Sequence, residues 1–172
     1  MIYLDYAAST PVNEEVLNTY NKLTKEYYAN PNSNHKLGKK SKELIDKYTK
    51  DIALKLGVLP EELIYTSGAT ESNNLAIKGV GERYKSFGKH ILISALEHNS
   101  IVASAVKMQS LGFEVEVIPV RNDGLIDIES LKKMIRKDTI LVSVCSVDSE
   151  IGLVQPISKI KEVLKDYPHC LL

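Results

Sequence analysis

The sequence has no excess charge of either sign: Lys+Arg and Asp+Glu are equal at 22 each in 172 residues. No net field draws the chain to nucleic acid or to an anionic membrane. Its apolar runs end after a few residues, far short of the ~20 needed to span a bilayer. Met1-Ile2-Tyr3-Leu4-Asp5 lacks the basic and apolar stretches of a signal peptide. The only cysteines, Cys145 and Cys170, form no disulfide framework and have no metal-ligand spacing. Both read as small buried residues. There is no repeat, no low-complexity tract, no Gly-x-Gly-x-x-Gly and no Walker-type Gly-x-x-x-x-Gly-Lys, which counts against a standalone nucleotide-binding domain. These absences predict a cytoplasmic, reducing setting with no nucleic-acid or membrane partner.

What remains is the balance of a globular protein, with 44% hydrophobic and 26% charged residues. Asn13 caps a predicted helix to about Tyr27, with Val16, Leu17, Tyr20 and Leu23 on one face. Residues 29–35 (Ala-Asn-Pro-Asn-Ser-Asn-His) are dense in turn formers. A second helix runs from about Leu37 to Leu56 and stops at Gly57. Strand-like and helical segments then alternate. Strands are predicted over 63–66, 90–93, 114–118 and 139–144, with another starting at Cys170. Helices are predicted over about 69–87, 99–111, 127–135 and 157–164. This alternation predicts a three-layer, doubly wound α/β fold with a mostly parallel sheet. Ligands of such sheets sit beyond the carboxyl ends of the strands.

Three segments fall at such ends. In Thr66-Ser67-Gly68-Ala69-Thr70-Glu71-Ser72-Asn73-Asn74 a strand-like run passes through small residues into a helix. Unpaired amides there favour a phosphate, and Thr70 adds a hydroxyl donor. The same pattern also fits an ordinary capped helix. In Ser94-Ala95-Leu96-Glu97-His98 the histidine suits either a cap or a cofactor ring. Cys145-Ser146-Val147-Asp148-Ser149-Glu150-Ile151-Gly152 reads as a polar loop turning at Gly152, or as a ligand contact.

Together with Tyr3-Leu4-Asp5-Tyr6-Ala7-Ala8-Ser9-Thr10-Pro11, Asn30-Pro31-Asn32-Ser33, Glu97-His98 and Glu150-Ile151-Gly152, these stretches resemble the cysteine desulfurases. Those are fold-type I enzymes of the class V aminotransferase group that use pyridoxal 5'-phosphate (PLP). The resemblance covers nearly all 172 residues. The Ala-Thr-Glu-Ser-Asn form is more similar to the housekeeping and nitrogen-fixation branch than to the selenocysteine-lyase-like branch.

The resemblance implies a partial PLP-transferase-like large domain. Residues 1–35 would be an N-terminal arm and substrate-side loop, and residues 36–172 the first half of the cofactor domain. It implies that Ala69 and Thr70 hold the PLP phosphate, and that His98 stacks on the pyridine ring and assists proton transfer. Ser149 would take a cofactor-binding position. There the family carries the second of two adjacent asparagines, where this chain has Asp148 and Ser149. Ser149 is shorter, and Asp148 brings a negative charge near a carboxylate site.

The family's His-x-Asp motif, anchoring lysine, sulfur-accepting cysteine and substrate-binding arginine are expected beyond residue 172. Neither Cys145 nor Cys170 matches the sulfur-accepting position. The implied activity converts L-cysteine to L-alanine and passes sulfur to an enzyme cysteine for iron-sulfur cluster assembly or other delivery. The implied partners are a sulfur-acceptor or scaffold protein and a second copy in a homodimer. Two alternatives stay open: a related class V enzyme with another substrate, and a non-catalytic remnant serving as a binding or dimerisation module.

Overall fold

A computed structural model describes every residue from Met1 to Leu172. The chain divides into two compact units, Met1–Tyr65 and Thr66–Leu172. No helix is long and apolar enough to cross a membrane.

The first unit is helical. Helix α1 (Glu14–Glu26) starts at Asn13, whose side chain accepts the N–H groups of Glu15 and Val16. Glu14 and Glu15 lie in its first turn and Lys25 in its last, which complements the helix dipole. Helix α2 (Lys36–Leu56) starts at His35, whose Nδ1 accepts the Gly38 N–H at 3.1 Å. Gly38 has no room for a Cβ, which would meet the carbonyl oxygens of Asn30 and Ser33. The turn-rich 30–33 loop therefore rests directly on the first turn of α2. Gly57, with φ of 69°, ends the helix in the left-handed region as expected.

The segment predicted as a strand over 63–66 is not one. It is extended but joins no ladder, and Ile64 and Tyr65 are exposed. A strand exists only by hydrogen bonding to a neighbour, and local apolar character does not supply that neighbour.

The second unit is the predicted α/β fold. Helix α3 (Ala69–Tyr84) leads to strand β1 (His90–Ser94), then α4 (Asn99–Ser110), β2 (Glu114–Ile118), α5 (Ile128–Met134), β3 (Thr139–Ser143) and α6 (Ile157–Leu164). The three strands are parallel in the order β2-β1-β3. Leu171 adds a parallel bridge to Leu141, so the segment expected to begin a strand does pair there.

Alternation along β1 sends Ile91 and Ile93 to one face of the sheet and Leu92 to the other. The first face packs on α3 and α4 through Ile77, Ile101, Ala105 and Met108. The second packs on α5 and α6 through Leu131, Ile160 and Leu164. These are the three layers. Burial of each large aliphatic side chain contributes roughly 1.5–3 kcal/mol. A register shift opposite His90 and Ile91 leaves Ile140 as an extra residue in β3.

From β1 the chain crosses through α4 to β2 on one side. From β3 it crosses through α6 to Leu171 on the other. The connections diverge between β1 and β3, so the crevice at the carboxyl ends of those two strands is the topological switch point.

Candidate cofactor site

Three segments supply this site. Helix α3 begins at Gly68, which provides no side-chain cap, and Ser72 makes the first intrahelical bond back to Gly68 O. The N–H groups of Ala69 and Thr70 have no protein acceptor, and open space lies where a Gly68 Cβ would be. The turn is held from its other side. The Glu71 carboxylate accepts both the N–H and the hydroxyl of Ser67, at 2.6 and 2.7 Å. Those bonds hold the Glu71 carboxyl below the usual carboxylate range. Thr66 and Ser72 hydroxyls meet at 2.7 Å.

The second segment follows β1. His98 is the N-cap of α4, and its Nδ1 accepts the Ser100 N–H at 3.1 Å. The Ser100 hydroxyl lies 2.8 Å from the same nitrogen. Asn73, one turn into α3, donates to that hydroxyl at 2.8 Å. A chain of side chains thus joins the opening of α3 to the His98 turn.

Glu97 ties in the third segment. Its Oε1 accepts the Cys145 N–H at 2.8 Å and the hydroxyls of Ser94 and Ser143 at 3.2 and 3.4 Å. Burial pushes the Glu97 carboxyl up, against the pull of those three bonds. Beyond Cys145 the loop folds back through a Val147–Val154 bridge. Asp148 Oδ1 accepts the N–H groups of Glu150 and Ile151, and Gly152 turns at φ 69°. The Asp148 charge is therefore engaged within its own turn.

Of the residues expected at the site, Ala69 and Thr70 open the helix whose Asn73 is hydrogen-bonded through Ser100 to His98. Ser149 sits exposed on the neighbouring loop and bonds to none of them. Asn73 and Ser100 had no role in the sequence reading. They are 27 positions apart, and no local pattern pairs them. Glu97 stood in a recognised motif without a role, although a carboxylate just after a buried strand was a usable signal. Both cysteines are free, as expected, but half-buried instead of buried. Cys145 lies past the end of β3, where the layers open. Cys170 only partly packs on the second core, and burial still pushes its thiol up to about 12.

The opening of α3, the His98 turn and the loop after β3 are tied together where ligands of a doubly wound α/β sheet sit. The family model for Aminotransferase class-V matches residues 2–172, and the chain belongs to that family. Within it, the chain is 41% identical over 166 residues to the cysteine desulfurase IscS of Dictyoglomus turgidum, covering 96% of this chain and 42% of that relative. Among solved structures, a NifS-like protein superposes with a TM-score of 0.91 at 32% identity, over 96% of this chain and 46% of the other. A structure of SspA in complex with cysteine superposes at 0.87 with 36% identity, covering 96% and 48%. The chain thus spans less than half the length of the relatives it matches.

Proposed function

We propose that the chain is the amino-terminal part of a PLP-dependent cysteine desulfurase. The whole enzyme would convert L-cysteine to L-alanine and leave the sulfur on one of its own cysteines. That sulfur would serve iron-sulfur cluster assembly or another acceptor protein. The reading includes a homodimer and a cytoplasmic setting, which the two unpaired thiols fit. Residues 1–35 act as arm and substrate-side loop, and 36–172 as the first half of the cofactor domain.

The observation that carries this reading is the start of α3. Its Ala69 and Thr70 amides have no protein acceptor, open space lies beside Gly68, and Asn73 one turn on is linked through Ser100 to His98. This donor set fits PLP. The phosphate would take the Ala69 and Thr70 amides and the Thr70 hydroxyl, where the helix dipole favours an anion. The His98 ring would lie against the pyridine ring. Ser149 would offer a hydroxyl to the cofactor or the substrate carboxylate. When bound, PLP supplies the electron sink for chemistry at the substrate's α-carbon. Glu97 keeps the His98 turn and the Cys145–Ser149 loop in fixed relation.

The pair Asp148-Ser149 favours a second reading, a related class V enzyme with a different substrate. Ser149 is short, and the Asp148 carboxylate is committed to its turn.

The test is PLP retention by the protein as its gene encodes it. Thr70→Ala should weaken PLP binding roughly ten- to hundredfold, the value of a hydrogen bond to a charged group. Unchanged affinity would remove Thr70 from the site.

A further inference from the structure

The ring of His98 is held in a way that fixes which nitrogen carries hydrogen. The Ser100 backbone N–H can only donate, and it points at Nδ1 from 3.1 Å. Nδ1 is therefore the acceptor, and in the neutral ring the hydrogen sits on Nε2. The Ser100 hydroxyl, 2.8 Å from Nδ1, supports the same assignment. Asn73 Nδ2 donates to that hydroxyl oxygen, which leaves the hydroxyl hydrogen free to point at His98. Ser100 is itself buried, and its carbonyl accepts the Ser104 hydroxyl at 2.8 Å. The donors to Nδ1 are thus anchored on α4 and braced from α3. Nε2 has no protein hydrogen-bond partner, and the residue is exposed.

Within the cofactor reading above, we propose that Ser100 and Asn73 are positioning residues that fix His98 as its Nε2–H tautomer, so that its outward nitrogen presents a hydrogen. His98 held this way offers a flat ring and one N–H donor. That pair suits an acceptor oxygen, carboxylate or phenolate, lying beside a stacked aromatic ligand.

The test is the ring 15N spectrum of His98 in 15N-histidine-labelled protein as its gene encodes it, with the resonances assigned through His98→Gln. The wild type should show the Nε2–H tautomer. Ser100→Ala and Asn73→Ala should each lower that preference roughly fivefold, the value of one ordinary hydrogen bond. Ser100→Thr, which keeps the hydroxyl, should restore it. A wild-type Nδ1–H tautomer, or a preference unchanged in Ser100→Ala, overturns the proposal. The wild-type spectrum decides even if a variant fails to fold. Spectra with and without PLP separate the two readings. An Nε2–H ring in protein that binds no PLP supports the tautomer assignment and sinks the cofactor reading. An Nδ1–H ring in PLP-loaded protein does the reverse.

Discussion

Glu97 reaches across the carboxyl edge of the sheet, and its Oε1 accepts the backbone N–H of Cys145 at 2.8 Å. One carboxylate thereby joins the turn after β1 to the loop after β3, the two strand ends that flank the switch point.

The pH dependence of this tie has a definite sign. Burial raises the Glu97 carboxyl above its ordinary value of 4.5, so between the ordinary and the raised value the native state holds a proton that the unfolded chain has lost. Its contribution is complete below about pH 4.5 and falls as pH rises through the raised value. Glu97→Gln, neutral at all pH, should flatten that part of the stability profile in urea titrations. Glu97→Ala leaves the Cys145 N–H without its acceptor and should cost about 1–3 kcal/mol. A Glu97→Gln profile parallel to the wild type would mean the carboxyl titrates normally.

Asp127 has the opposite sign. It caps α5, and the Ser130 hydroxyl and amide hold its carboxyl below the usual range. Its contribution is present above the ordinary aspartate value and is lost as pH falls through the lowered one. Asp127→Asn keeps an oxygen for the cap and should make the acid limb of unfolding shallower. Asp127→Ala should lower stability at neutral pH as well. Thermal unfolding across the acid range reads both.

Two glycines should respond differently to alanine. A Cβ on Gly88 would collide with the Asp138 backbone, which cannot move without shifting the start of β3. Gly88→Ala should cost at least ~2 kcal/mol, as overpacking against fixed atoms does. A Cβ on Gly81 would meet the terminal methyl of Met108, the free end of a flexible side chain. Gly81→Ala also gains up to ~1 kcal/mol of helix propensity, which offsets part of the clash. Equal losses in denaturant unfolding would contradict this ordering.

The legible parts of the sequence were those with local causes. Asn13, Gly57 and Asp127 marked helix ends because caps act within a few residues. The apolar run of β3 marked a buried strand for the same reason. The failed strand at 63–66 shows the limit, since a ladder needs a neighbour that composition does not name. The extra residue at Ile140 depends on how β3 docks against β1, and the Asn73–Ser100–His98 chain depends on how α3 crosses α4. Both arise from packing between elements, and no spacing rule contains them. Motif resemblance singled out these loops, while the bonds that connect them came only from the structure.

The central claim is tested most directly by alanine formation from L-cysteine, using the PLP-loaded protein as its gene encodes it. The account predicts alanine in step with sulfur released to a thiol acceptor, and loss of both in Thr70→Ala at limiting PLP. PLP-loaded protein that turns over another amino acid, and makes no alanine from cysteine, would contradict it.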